Sequence, residues 1–255
     1  MAIDINKTSN FIISVVLLFM IFISCSKDIK DSHVDNPVKE TELVLPISEP
    51  SGLSFSIDGK SLLTVSDQTG KIYRISFEGV LLETLQYNGT DPEGITVNAN
   101  TEEILIAEER SRNIISTGMQ GNTIKKYHLD IEENEVNSGL EGITYNSGNN
   151  HIYLLNEKKP GLLLELDEKY TLIKKTKLDF ASDYSGIFYD IREDVLWIVS
   201  DQSKTINKCK TNGTLIKSYR LTERKAEGIV VNSEKKIIYV VFDKSNKLKI
   251  FKYKD

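Results

Sequence analysis

Apolar and polar positions alternate along this chain in short runs, and the runs return in sets. "SLLTVSD", "EILIAEE", "IYLLNE", "VLWIVSD" and "IIYVVFD" are five segments of one type, rich in Ile, Val, Leu and Tyr and each ending on an acid. Each is preceded by a shorter alternating run that opens on a glycine: "SGLSFS", "EGITVN", "EGITYN", "SGIFYD" and "EGIVVN". Turn formers ("IDGK", "NANTEE", "NSGNN", "IRED", "NSEKK") separate the two. Runs of this length and composition between turn residues predict β-strands. A third strand follows in every set ("KIYRIS", "RNIIST", "GLLLEL", "TINKCK", "KLKIFK"), then a more polar fourth ("VLLETLQY", "TIKKYHL", "TLIKKTKL", "TLIKSYRL").

The glycines Gly52, Gly94, Gly142, Gly186 and Gly228 are 42, 48, 44 and 42 residues apart, a period that suits a propeller blade. The fifth set stops at "KLKIFKYKD" without its fourth strand, whereas "TELVLP" (Thr41 to Pro46) precedes the first set with no strands of its own. The prediction is an all-β, five-bladed β-propeller of four-stranded antiparallel blades, spanning 41–255, in which the N-terminal strand completes the last blade. Closing the ring removes sheet edges that would otherwise invite association. Leu63, Leu105, Tyr153, Trp197 and Tyr239 stand at one repeat position in the second strands, so they read as packing between blades. Cys209, equivalent to Ile75, reads as a small buried hydrophobe.

The chain's beginning departs from this pattern. Lys7 precedes a 13-residue stretch, Phe11 to Ile23, apolar but for Ser14. As a helix it would extend roughly 20 Å, short of a ~30 Å hydrocarbon core, and it reads as the apolar region of a signal peptide, 1–24. Ser24 directly before Cys25, with a polar stretch behind it, resembles a bacterial lipoprotein signal; that resemblance implies that Cys25 is lipidated. Residues 25–40 then read as lipidated cysteine and flexible tether. The expected setting is the bacterial cell envelope, on the outer membrane facing either the periplasm or the exterior, with the membrane a partner through the lipid.

Charge narrows the partners further. With 32 basic and 37 acidic residues the formal charge is -5, and no concentrated Lys/Arg stripe is apparent along the chain, which argues against nucleic acid.

The acids themselves are patterned. Fifteen positions after each glycine stand Asp67, Glu109, Glu157, Asp201 and Asp243, one per blade. Directly before each glycine stand Ser51, Glu93, Glu141, Ser185 and Glu227. In an antiparallel meander the entry to strand one and the turn after strand two lie on one face of the ring, so both sets share it. Where the inner residue is Glu, the distal acid is followed by Arg110, Lys158 or Lys244; where it is Ser, by Gln68 or Gln202. Two readings stay open. Either Glu93, Glu141 and Glu227 converge at the channel mouth as an oxygen-rich site for a hard cation, or each Glu pairs with the cation of its own blade. The distal acids read as caps of the turns after strand two.

"DPEGITVN" with "ILIAEER", and "SGLSFSIDGKSLLTVSDQTGKIYRIS", resemble the SdiA-regulated (YjiK-like) propeller family, itself distantly similar to NHL-repeat proteins, over residues 41–255. The resemblance implies a five-bladed propeller in an envelope setting with a bound calcium ion, and no settled reaction. His33, His128 and His151 are placed away from the acidic face, and no Gly-x-Ser-x-Gly elbow, zinc-spaced cluster or P-loop occurs. Two functions are compatible with this sequence. One is a calcium-binding module that takes a small-molecule or protein ligand at the channel face; the other is a calcium-dependent hydrolase of a lactone or phosphoester using channel-mouth carboxylates. The acidic connection "DIEENEVNSGLEG" before Gly142 is expected on the same face.

Overall fold

The computed structural model describes residues 34–37, 39–131 and 139–254, and every regular element among them is a strand. Two strands precede the first repeat: β1 (Val34–Asp35) and β2 (Lys39–Val44). Blade one is β3 (Pro50–Phe55), β4 (Leu62–Ser66), β5 (Lys71–Ile75) and β6 (Leu81–Thr84). Blade two is β7 (Pro92–Asn98), β8 (Glu103–Glu108), β9 (Asn113–Thr117) and β10 (Thr123–His128). Blade three is β11 (Leu140–Asn146), β12 (His151–Asn156), β13 (Leu162–Leu166) and β14 (Leu172–Lys177), and blade four β15 (Ile187–Asp190), β16 (Val195–Ser200), β17 (Thr205–Lys210) and β18 (Leu215–Arg220). Blade five is β19 (Ala226–Asn232), β20 (Ile237–Phe242) and β21 (Lys247–Lys252), and β2 pairs antiparallel with β21 as its fourth strand.

The expected closure is therefore present, in the register Thr41↔Ile250, and starts two residues earlier than the sequence pattern indicates. A second contact was not expected. β1 adds to the outer edge of β18 in parallel, Val34 opposite Ser218 and Asp35 opposite Tyr219, so the N-terminal strap spans blades four and five. Lys249 is 4% exposed and takes Glu40 at 2.6 Å, Glu42 at 3.3 Å and Glu223 at 3.1 Å. Burying that ammonium is tolerable only because three carboxylates surround it. The signal peptide, Cys25 and residues 25–33 of the tether lie outside the described residues.

The middle strands are apolar at nearly every position because both of their faces are covered. Along β4, Leu62 packs against Val230, Tyr239 and Val241 of blade five, while Leu63, one residue on, packs against Ile95, Ile104 and Ile106 of blade two. β16 behaves likewise: Leu196 joins Tyr153 and Leu163 of blade three, and Trp197 joins Ile229 and Ile238 of blade five. Five clusters result, one at each junction between blades. Strand alternation of period two thus serves two interfaces at once, and the second-strand aromatics are packing residues, as their repeat position implies. Cys209 is fully buried beside Leu178 and Leu196, and burial pushes its thiol up to about 12.

Around the axis the blades meet backbone to backbone, and this is why a glycine opens every repeat. A β-carbon on Gly52 would lie 2.7 Å from the carbonyl oxygen of Glu93, one on Gly142 would lie 2.8 Å from the amide nitrogen of Ile187, and one on Gly228 would lie 2.5 Å from the carbonyl carbon of Gly52. Gly94 abuts Glu141 and Gly186 abuts Glu227 in the same way. The contact of Gly228 with Gly52, blade five against blade one, closes the circle.

Candidate functional site

The inner strands do not begin at the glycine, as the pattern suggests, but up to two residues before it in blades one, two, three and five. In each of those blades the pairing register slips there: between Ser51 and Leu53, Pro92 and Gly94, Leu140 and Ile143, and Ala226 and Gly228. Glu93 and Glu227 are the extra residues of β-bulges, and Glu141 sits in an equivalent irregularity. A bulge breaks the in-out alternation and re-aims the side chain it carries. Here all three carboxylates are re-aimed into one axial pocket of about 320 Å³.

That pocket is lined by every residue of the inner ring (Ser51, Glu93, Glu141, Ser185, Glu227) and every distal acid (Asp67, Glu109, Glu157, Asp201, Asp243). Arg110, Lys158, Lys225 and Asp183 complete it. Nine carboxyl groups thus face three cations. Neither His128 nor His151 reaches the pocket: His128 meets Asn113 at 3.2 Å and His151 meets Glu165 at 2.7 Å.

The reading in which each Glu pairs with the cation of its own blade does not hold. Arg110 binds Asp91 at 3.1 Å rather than Glu93, Lys158 binds the adjacent Glu157, and Lys244 is not in the lining. The cation that does reach an inner Glu is Lys225, 3.5 Å from Glu227 and 3.8 Å from both Asp201 and Asp243. In blades one, two and four the distal acid is not the cap of the turn after strand two. In blades one and four the cap is the preceding serine: Ser66 Oγ accepts from the Thr69 amide at 3.1 Å, and Ser200 Oγ from the Ser203 amide at 3.1 Å. In blade two Glu108 accepts from the Ser111 hydroxyl at 2.8 Å. The distal carboxylates are thereby left to face the pocket.

Crowding and desolvation set the protonation of the inner ring. Burial lifts Glu141 well above the usual carboxylate range, and the neighbouring charges of Glu93, Glu227, Glu109 and Glu157 push it further. Glu93 is lifted by burial against the opposing hydrogen bond from Ser51. Glu227 is raised to about 8 by burial, against Lys225 and a hydrogen bond from Ser185. Asp67 rises to about 6, through burial first and then its hydrogen bond with Asp91. Glu109 and Asp243 are raised by burial as well. These directions follow from removing water around like charges.

Sequence reasoning missed Asp91, Asp183 and Lys225. All three stand three positions before a repeat glycine, as do Glu49 and Gly139, so the counting that located the distal acids would also have located them. Glu49, Asp91 and Lys225 take positive φ there (44°, 58° and 71°). Asp183, 1% exposed, is fixed by the Ser200 hydroxyl and the Gln202 amide. Carboxylate oxygens of Asp67, Asp91 and Glu93, and separately of Glu109, Glu141 and Glu157, come within 4.8 Å of one another. Residues 132–138 of the acidic connection before Gly142, expected on this face, lie outside the described residues; at its end the Gly139 carbonyl accepts from the Glu157 amide at 3.3 Å.

Comparison with known proteins agrees with this architecture. The SdiA-regulated family model matches residues 36–247. Similar solved structures include a virginiamycin B lyase from Staphylococcus aureus (TM-score 0.53, 17% identity, 85% of this chain and 99% of that one). A gluconolactonase from Xanthomonas campestris gives a TM-score of 0.57 at 10% identity, over 84% of this chain and 89% of that one. A chain of a nidogen/laminin complex gives 0.59 at 18%, over 80% and 75%. At these identities the likeness is one of fold.

Proposed function

We propose that this chain, which belongs to the SdiA-regulated family, is a membrane-tethered, calcium-binding propeller that offers its axial pocket as a binding module in the cell envelope. The observation that carries the reading is the donor set: nine carboxyl groups and two serine hydroxyls around one opening, with three cations and no imidazole or thiol. Oxygen-only, anionic sites suit a hard divalent cation such as Ca2+ and not a softer metal.

The oxygen donors suit that ion. Glu93, Glu141 and Glu227 would hold it from the inner ring; Glu141 stands with Glu109 and Glu157, Glu93 stands in a separate group with Asp67 and Asp91, and Glu227 belongs to neither group. When bound, the ion would supply positive charge that lets the inner carboxyls ionise, and it would present a Lewis-acidic centre to an anionic or carbonyl-bearing ligand. Lys225, shared among Glu227, Asp201 and Asp243, fixes one side of the pocket. Arg110, paired with Asp91, and Lys158, paired with Glu157, also line the pocket and would exchange those partners to orient a ligand's acidic group. The lipid at Cys25 holds the module at the membrane.

The test is a calcium titration followed by thermal unfolding and by calorimetry. Binding to the folded state alone stabilises it by about 2.7 kcal/mol at a hundredfold excess over Kd. A melting temperature indifferent to millimolar Ca2+, with no heat of binding, would remove the calcium from this reading.

A second reading is a calcium-dependent hydrolase of a lactone or phosphoester. What favours it is the number of carboxyl groups: nine line the pocket, so some could hold the ion while another serves as general base. A panel of lactones and phosphoesters, assayed with and without chelator and then with Glu141→Gln, separates the two. Turnover that chelator abolishes supports the hydrolase, and its absence leaves the binding module.

A further inference from the structure

The outer strands carry a charge pattern that the linear sequence conceals. β10 is "TIKKYH", β14 "LIKKTK" and β18 "LIKSYR": the fourth strands of three consecutive blades hold seven Lys or Arg and no acid, on a chain of net charge -5, while β1, laid along β18, brings one acid, Asp35, to the rim of blade four. The rims of the remaining blades differ, with Glu83 on β6 and Glu40 and Glu42 on β2. Each basic strand also exposes an isoleucine at its second position: Ile124, Ile173 and Ile216 are 56%, 49% and 48% exposed. Among the described residues Lys174, Lys175 and Lys177 form no ion pair and no strand lies on the outer edge of β14.

The strap points to what this arc meets. β1 runs along β18, with Asp35 paired to Lys217 at 2.7 Å, so the chain joins the propeller at the rim of blade four. The eight residues from Ser26 to His33, at no more than about 3.5 Å each, keep an anchor at Cys25 within roughly 30 Å of that rim. We propose that the outer edge of blade three and the rim of blade four formed by β18 and β1 are a docking surface for an anionic lipid bilayer. Lys174, Lys175, Lys177 and Arg220 face the headgroups, and Ile173 and Ile216 enter the interface. Basic side chains are attracted to such a surface by roughly fivefold in partition each, within a Debye length, and exposed apolar tips add to that. The propeller then stands on its edge, with its axis along the membrane plane and the acidic pocket, which the same surface would repel, opening sideways. This inference rests on the membrane-tethered reading above and adds an orientation to it.

The competing role of edge lysines is to keep a bare strand from pairing with another chain, and the test separates the two. Full-length chain carrying Ile173→Trp, or as control Leu82→Trp on blade one (49% exposed), is mixed with vesicles of brominated phosphatidylcholine alone or with 30 mol% phosphatidylglycerol. Trp197, fully buried, gives a constant background. Flotation on the neutral vesicles reads the anchor. The expected result is quenching at position 173 but not 82, on the anionic vesicles only, relieved at 0.5 M salt and lost in Lys174→Glu/Lys175→Glu/Lys177→Glu, which still floats. Absent quenching on anionic vesicles to which the chain is bound, or equal quenching at 173 and 82, would overturn the docking surface while leaving the anchor intact. A chain that does not float on neutral vesicles would overturn the anchor, with quenching on the anionic ones still deciding the docking.

Discussion

Raising the pH should destabilise the metal-free protein, and one side chain allows the effect to be isolated. Glu227 has an ordinary value of 4.5 and is raised to about 8 in the folded state, where its side chain is 11% exposed. An acid raised on folding is protonated in the native chain and ionised in the unfolded one between those two values. The native state then binds more protons, so its stability is full below about 4.5 and declines as pH climbs toward 8, by about 1.4 kcal/mol per unit. With the proton shared among coupled carboxyls, the loss attributable to Glu227 is on the order of 3–5 kcal/mol across the window. Glu93 and Glu141 act in the same direction. Glu227→Gln imitates the protonated form at every pH and leaves Lys225 paired with Asp201 and Asp243. Urea denaturation of both chains with chelator, at half-unit steps from pH 5 to 8.5, should show near-equal stability at pH 5 and the variant ahead by the stated amount at pH 8. A difference that does not change with pH, or a wild type that stays ahead at pH 8, would refute the reasoning.

Other consequences follow from the packing and the strap. Gly94→Ala places a methyl against the Glu141 carbonyl and the Ile143 amide; the cost should be about 3 kcal/mol, or a melting temperature lower by roughly 6–12 °C, and calorimetry that finds it unchanged would contradict the backbone contact at the axis. Lys249→Ala leaves Glu40, Glu42 and Glu223 facing one another without their cation and should cost about 3–5 kcal/mol. Limited proteolysis should then release the N-terminal strap before the rest of the chain. Cys209 should resist a thiol reagent in the native protein and react on unfolding, given its burial and a thiol pushed up to about 12. A native chain that titrates one fast thiol would identify that thiol as an unmodified Cys25.

Much of this protein is legible in one dimension because its order is local and repeated. Alternation within each strand, the glycine at each repeat and the incomplete fifth set were enough to specify five blades and the strand that closes them, since these depend on side-chain period and on backbone approach at one residue type. The spacing of fifteen also delivered the distal acids to the correct face. What the pairings would be was not legible. Arg110 follows Glu109 in sequence yet binds Asp91, and Lys225 serves acids from two blades, because electrostatic partners are chosen by distance in space and not along the chain. The bulges that turn Glu93, Glu141 and Glu227 toward the axis arise only when neighbouring strands settle their register. The basic arc has the same origin: β10, β14 and β18 start at Thr123, Leu172 and Leu215, and only the closed ring makes them the outer strands of successive blades.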